Sequence, residues 1–241
     1  MKILALDTSD RPLSVAVLEE EQLLAETTLV LAKKHSQTLT PVIAESLQKA
    51  GFRPKDLERI VVSDGPGSYT GLRIGVTAAK VLAATLEIDL VGVSSLELLA
   101  ANCLAQTDKV LVPIFDARRE NVFAGAYRVK NGKLENILPD QHLSVVQLAE
   151  FLKGRDALLI GEGAKNYQAQ FKELLAGEKY AYTAPNDDLP SGYLLGLLGQ
   201  QKQPSQVDTF VPRYLRLTQA EVQWMEKHPG KDAHGTYVEK I

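Results

Sequence analysis

The chain has 241 residues, of which 45% are hydrophobic and 24% charged, and this length suits one large domain or two small ones around a buried core. The formal net charge of -3 argues against strong nucleic-acid binding by this chain alone, because such binding needs a basic surface that displaces counterions. The single cysteine, Cys103, excludes an internal disulfide, and no run is typical of a signal peptide or a membrane span. We therefore expect a globular, cytoplasmic protein with no membrane partner.

The first half of the sequence alternates strands with helices. Three strand-like runs come first: KILALD, LSVAVLE and LLAETTLVL. A helix with Gly51 as its stop is predicted next, and its apolar face carries Leu39, Ile43, Leu47 and Ala50. The strand RIVVS then leads through a glycine-containing loop into a helix over about 70–86, a strand DLVGV and a helix SLELLAANCLA.

The second half restates this order. It contains the strands VLVPIFDA and NVFAGAYRV, the segment KLENILPDQHL, the helix SVVQLAEFL, the strand ALLIGEG, the helix NYQAQFKELL and the apolar run YLLGLLGQQ. Each half opens with an apolar strand that ends in an aspartate, Asp7 or Asp116, which suggests an ancient duplication. We predict an α/β fold of two actin-like (ribonuclease H-like) lobes, each a mixed β-sheet flanked by helices. The predicted N-terminal lobe is 1–106, and the C-terminal lobe with its tail is 107–241.

The stretch SDGPGSYTGLRIGVTAAK, from Ser63 to Lys80, begins like a phosphate loop, because a strand runs through glycines into a helix N-terminus. It lacks the Gly-Lys-Ser/Thr of a Walker loop, and Thr70 stands where G-x-G-x-x-G needs its third glycine. Inside the helix, small residues recur every four positions, at Gly71, Gly75, Ala79 and Ala83. Spacing alone leaves open whether this row packs on the helix's own sheet or admits a partner helix, although other apolar positions could serve the sheet.

The aspartates at the strand ends are candidates for a nucleotide site. Actin-like proteins use such carboxylates near the ATP phosphates, with glycine beside them, but here Asp7 is followed by Thr8 and Ser9, and Asp116 by the bulky Ala-Arg-Arg-Glu. Turn formation is the simpler role for Asp116, and both roles stay open for Asp7. Gly161 and Gly163 are similar to the adenosine-side loop of that superfamily, although any strand-to-helix turn needs such glycines.

Other catalytic patterns are missing from the sequence. The four histidines lack metal-ligand spacing, no G-x-S-x-G elbow surrounds a serine, and Cys103 lies in an apolar helical run. Near the end of the chain, PRYLR at 212–216 combines a rigid residue with an aromatic and two arginines, which suits anchoring or anion contact. No complete catalytic constellation emerges.

Several motifs together resemble the TsaB (YeaZ-like) family, the dimerisation subunits of the bacterial tRNA threonylcarbamoyladenosine synthase complex. They are LALDTS, HSQTLTPVI, DGPGSYTGLRIGVTAAKVLA, VGVSSLELLA, LLIGEGA and the closing P-x-Y-L-R, and they extend to about Glu221. The resemblance implies a cytoplasmic protein that homodimerises alone, pairs with the catalytic paralogue TsaD and is joined by the ATPase TsaE. That complex transfers a threonylcarbamoyl group, as its adenylate, to the adenosine 3′ of the anticodon in tRNAs reading ANN codons.

The resemblance also implies roles for individual residues. TsaD-like proteins carry N-H-L-E-G-H, whose histidines bind metal, whereas VSSLELL puts Ser95 and Leu99 at those two places, so the metal site should be absent. We expect no cofactor in this chain, with ATP and metal belonging to the partners and a weak residual nucleotide site left open. The two helices that carry the apolar and small-residue rows form the intersubunit bundle in this family. The implied interface is Leu39, Ile43, Leu47, Gly71, Arg73, Gly75, Ala79 and Ala83.

The leading hypothesis is a non-catalytic scaffold that binds tRNA only through the complex. The alternative is a stand-alone actin-like ATP-dependent kinase or ATPase that works through Asp7 and the Gly161–Ala164 loop. A peptidase is a third hypothesis, and the sequence offers no nucleophile constellation for it. No motif is apparent in the tail, residues 223–241.

Overall fold

A computed structural model describes residues 1–30, 34–106 and 108–216, and it contains two five-stranded sheets. The first sheet is formed by β1 (Lys2–Asp7), β2 (Pro12–Glu19), β3 (Gln22–Val30), β4 (Arg59–Gly65) and β5 (Asp89–Ser94). The second is formed by β6 (Val110–Asp116), β7 (Asn121–Lys130), β8 (Lys133–Ser144), β9 (Ala157–Ile160) and β10 (Tyr180–Tyr182). The helices are α1 (His35–Ala50), α2 (Tyr69–Leu86), α3 (Ser95–Ala101), α4 (Val145–Leu152), α5 (Glu162–Asn166), α6 (Gln168–Leu174) and α7 (Gly192–Gln200).

The two sheets have the same topology. The strand orders are β3-β2-β1-β4-β5 and β8-β7-β6-β9-β10. In each, the first three strands are antiparallel and the last two run parallel to the central strand. This confirms the predicted α/β class with two lobes of mixed sheet, and the matching orders agree with a duplication.

The central strands are apolar at nearly every position because helices cover both faces of the first sheet. One face packs β1 residues Leu4 and Leu6 against α1 and α2, and the other packs Ile3 and Ala5 against α7. Alternate side chains of a strand point to opposite faces, so a strand buried on both sides reads as a continuous hydrophobic run.

The predicted lobe boundary needs a correction at the C-terminal end. Helix α7 packs against β1, β2 and β4 of the first sheet, and Arg59 of β4 donates from Nη1 to the Gly199 carbonyl at 3.1 Å. The segment after α7 also returns to the first lobe, since Ser205 bridges to Leu90 of β5. The second lobe therefore ends before α7, because the apolar face of this helix is needed to cover the back of the first sheet. The tail 223–241 lies outside the described residues.

Within the part of the chain that the structure describes, no helix combines the length and the apolarity that crossing a bilayer requires.

Candidate partner face and inter-lobe cleft

The row of small residues on α2 lies against the turn that follows β1. Gly71, Gly75, Ala79 and Ala83 are all buried. A Cβ atom on Gly71 would overlap the Thr8 carbonyl oxygen, and a Cβ atom on Gly75 would overlap Thr8 Oγ1. The Thr8 hydroxyl also donates a hydrogen bond to the Gly71 carbonyl at 2.7 Å. The close approach that the glycines permit is therefore to Thr8 of the same chain, and the prediction that this row faces a partner is wrong.

The same correction applies to the apolar row of α1. Leu39, Ile43 and Leu47 are buried in the hydrophobic cluster formed with β1, β2 and β4. They hold α1 on the first sheet and are almost fully covered there, although Leu39 also borders the groove described next.

The outer surfaces of α1 and α2 border a groove of about 540 Å³. Its lining consists mostly of short side chains: Ser36, Leu39, Thr40, Tyr69, Thr70, Arg73, Ile74, Thr77 and Ala78. Arg73 is the one predicted interface residue that is exposed; its Nη1 donates to Tyr69 Oη at 2.9 Å, and its guanidinium lies 5.5 Å from the Tyr69 ring centroid. Farther along α2, Val81 is 58% exposed. Short, mostly uncharged side chains let a second helix approach closely, which is what a helix-docking surface needs.

A second concave region lies between the lobes, with a volume of about 430 Å³. It is bordered by the turns after β1 and β6 and by α5, and its lining includes Asp10, Arg11, Ser68, Asp116, Arg118 and Glu162. The predicted nucleotide-site residues Asp7, Thr8, Ser9, Gly161 and Gly163 do not line it, although their neighbours Asp10 and Glu162 do.

The polar groups of the turn after β1 are bonded within the chain. The buried Asp7 carboxylate accepts from the Ser9 N–H at 2.8 Å, the geometry of a turn-forming aspartate, and burial raises its pKa. The Ser9 carbonyl in turn accepts from the Ser68 N–H at 2.6 Å, and a Cβ on Gly67 would overlap that carbonyl. The backbone of Thr8 and Ser9 is thus covered by the loop that leads into α2.

The turn after β6 is bulky, and its aspartate is bonded within the chain. Asp116 Oδ1 accepts from the Arg118 N–H at 2.7 Å and from Tyr167 Oη at 2.8 Å, which supports its predicted role as a turn former. The next three residues adopt the left-handed backbone conformation, with φ values of 70°, 52° and 58° at Arg118, Arg119 and Glu120. A phosphate loop would place glycine in this conformation, whereas here all three residues carry large side chains.

The two glycines of the predicted adenosine-side loop serve the packing of α5 on β6. A Cβ atom on Gly161 or on Gly163 would lie 2.8 Å from the Ile114 carbonyl oxygen. The Gly161 N–H donates to Asp188 Oδ1 at 2.7 Å, so this donor already has an acceptor within the chain.

Carboxylates dominate the mouth of the cleft. Burial and the charge of Glu162 raise the pKa of Asp10 to about 7, and burial together with Asp116 raises the pKa of Glu162. Arg11 and Arg118 offset this charge only in part. Where they are ionised, these carboxylates repel a polyphosphate that is not accompanied by a metal ion.

The two residues that the resemblance assigns to the metal-ligand positions of TsaD-like proteins are buried in α3. Ser95 and Leu99 are 1% and 2% exposed, and Leu99 belongs to an apolar cluster with Leu111 and Phe115 of the second lobe. Across the described residues, no group of three histidine, cysteine or acidic side chains could hold a metal ion. A hydroxyl and an aliphatic side chain do not supply the donors that a transition metal needs.

Comparison with known proteins identifies the family. The family model described as "TsaD: tRNA N6-adenosine threonylcarbamoyltransferase" matches residues 23–224. The tRNA threonylcarbamoyladenosine biosynthesis protein TsaB of Bacillus subtilis is 42% identical over 94% of this chain and 99% of its own length. The chain belongs to the TsaB family. The TsaB protein of Haemophilus influenzae is 28% identical over 96% of this chain and 99% of its own.

A solved structure supports the same membership in the TsaB family. The structure of YeaZ from Pseudomonas aeruginosa matches with a TM-score of 0.77 and 28% identity, over 89% of this chain and 99% of that one. The predicted resemblance to the TsaB (YeaZ-like) family is therefore confirmed.

Proposed function

We propose that this chain is a non-catalytic subunit in the biosynthesis of threonylcarbamoyladenosine in tRNA. The observation that carries the proposal is the 42% identity, over 94% of the chain, to the Bacillus subtilis protein named for that pathway. In this proposal the chain binds and stabilises a TsaD-type catalytic paralogue, and a TsaE-type ATPase is recruited to the pair. The complex, rather than this chain alone, holds the tRNA and transfers the threonylcarbamoyl group to the adenosine 3′ of the anticodon in tRNAs reading ANN codons.

The cleft supports an accessory role. Phosphate transfer and adenylate chemistry need backbone N–H donors and cations aimed at the phosphates. Here the N–H groups of Ser9, Ser68 and Gly161 are bonded within the chain, and Asp10 and Glu162 add negative charge. ATP and metal therefore belong to the partners in this proposal, and this chain supplies a surface.

The groove between α1 and α2 is the surface that fits this role best. Because the chain is homologous to the transferase family, two related chains can pair through equivalent helices about an approximate two-fold axis. Arg73, Thr77 and Val81 on α2 present one cation among short or aliphatic side chains, which allows close helix contact with few charges to desolvate. The same face would join two copies of this chain when the paralogue is absent.

The test is a reconstituted modification assay with the TsaD-type and TsaE-type proteins of the same organism. Omitting this chain should abolish modification, and adding it back should restore modification with saturation near one chain per paralogue. Undiminished modification without it would contradict the accessory role. Calorimetry with Mg-ATP on the isolated chain should give no tight binding, whereas tight binding with turnover would favour the stand-alone ATPase.

A further inference from the structure

The segment that follows α7 runs along the first lobe toward the second. Its Ser205 N–H donates to the Leu90 carbonyl at 2.7 Å, at the edge of the first sheet. Lys80 of α2 then donates from Nζ to the carbonyls of Asp208 and Phe210 at 3.0 and 2.8 Å. Residues 205–210 are thus fixed to β5 and α2 of the first lobe before the chain reaches the second.

Arg213 joins the two lobes directly. Its N–H donates to the Asp64 carbonyl at 2.7 Å, and its Nη2 donates to the Gly65 carbonyl at 2.7 Å, both at the end of β4 in the first lobe. The same Nη2 lies 3.0 Å from Oδ2 of Asp140, which belongs to β8 in the second lobe. One guanidinium therefore holds groups of both lobes.

Asp140 receives donors from three parts of the molecule. Besides Arg213, it accepts from Tyr127 Oη of its own lobe at 2.5 Å and from the hydroxyl of Ser94, the last residue of β5. Its side chain is 4% exposed. A buried carboxylate with several charge-assisted or hydroxyl bonds is strongly held, and removing its cation leaves a costly unpaired charge.

The segment ends on the second lobe while still touching α2. Arg216 donates from Nη1 to the Ala117 carbonyl at 2.9 Å, in the turn after β6. The ring of Tyr214 lies 4.9 Å from the ring of Tyr69 at the start of α2. The P-x-Y-L-R motif thus contacts both sides of the inter-lobe cleft.

Two-lobed proteins with a cleft commonly close around a ligand by hinge motion. In this chain, polar bonds that involve no ligand already span the two lobes. We propose that residues 205–216 form an inter-lobe strap that holds the lobes in one relative orientation without a nucleotide, with Asp140 as its anchor and Arg213 as its positioning residue. The proposal is independent of which partner the chain binds.

The lobes also meet through an apolar cluster in which Leu96 and Leu99 of α3 pack on the second sheet. The packing of this cluster is apolar, although its Tyr127 also bonds to Asp140, and variants that break the strap should therefore keep both lobes folded. The expected effect of such variants is a change in the angle between lobes, which differs from a loss of either lobe.

The experiment measures the distance between the lobes in the full chain. Spin labels are attached at Gln48→Cys on α1 and Lys172→Cys on α6, both exposed, in a Cys103→Ala background, and the distance distribution is recorded by pulsed electron paramagnetic resonance. The parent should give one narrow distribution that Mg-ATP leaves unchanged. Arg213→Ala and Asp140→Asn should each broaden it at least twofold or shift its maximum, and Arg213→Lys should give an intermediate result.

Tyr127→Phe is the matched control, because it removes a bond to the same carboxylate from within the second lobe, and its distribution should equal that of the parent. Circular dichroism of each variant verifies that the lobes remain folded. A broad parent distribution, a parent that shifts with Mg-ATP, or strap variants as narrow as the parent would overturn the proposal.

Discussion

The inner face of helix α2 carries Gly71, Gly75 and Ala79 against the turn after β1, whereas its outer face carries Arg73, Thr77 and Val81 toward solvent. The inner face has only small side chains, and the outer face combines one long side chain, Arg73, with two shorter ones, so both would allow another backbone to come close. The inner face is already occupied by Thr8, so its small residues are a requirement of the fold. The outer face is free for a partner in the isolated chain, and the difference separates residues needed for stability from residues available for binding.

The largest expected effect comes from the inner face. Gly75→Leu should lower the free energy of unfolding by about 3 kcal/mol, because the new side chain would overlap Thr8 Oγ1 in a turn fixed by several hydrogen bonds. Urea unfolding measures the change. Unchanged stability together with lost partner binding would show that the row faces the partner after all.

On the outer face we expect a substitution to weaken partner binding and to leave the stability of the fold nearly unchanged. Arg73→Glu should weaken binding to the TsaD-type partner at least tenfold, which corresponds to about 1.4 kcal/mol, while the free energy of unfolding changes by less than about 0.5 kcal/mol. Titration calorimetry and urea unfolding measure the two quantities. Lys172→Glu on α6, an exposed charge reversal in the other lobe, is the matched control and should affect neither.

A pH-dependent effect should appear in the turn that the inner face covers. The pKa of Asp10 is raised from 3.8 to about 7, so the folded state binds this proton more tightly than the unfolded state. The resulting stabilisation is complete below about pH 4 and is lost as the pH rises to about 7. Asp10→Asn does not titrate, so its stability relative to the parent should rise over this range, by at most about 1.4 kcal/mol per pH unit, and then level off. Urea unfolding at a series of pH values tests this, and a difference that is flat across the range would contradict it.

Much of the fold follows from local patterns in the sequence. The strand and helix order is predictable because the central strands are continuously apolar and α1 ends at Gly51, whose φ is 76°. The three-residue strand β10 is missed, since so short a run carries little periodic signal.

What remains unpredictable depends on contacts distant in the sequence. The four-residue spacing on α2 indicates a close approach, but it cannot tell that Thr8, 63 residues away, makes it. The return of α7 to the first sheet is also unpredictable, because it depends on contacts distant in the sequence. The same holds for the bond between Arg213 and Asp140, which are 73 residues apart. In the cleft, residue types indicate a degenerate site, but only the three-dimensional contacts show which N–H groups are already bonded.

The most direct test of the account is a titration of the chain into the reconstituted tRNA modification assay, with the parent compared with Thr77→Arg. Thr77 is exposed in the groove between α1 and α2, so the arginine should leave the fold intact and obstruct a docking helix. We predict that the variant needs at least tenfold more chain for half-maximal modification and reaches the same maximum rate. Equal concentrations for half-maximal modification would contradict the claim that this chain acts through that face.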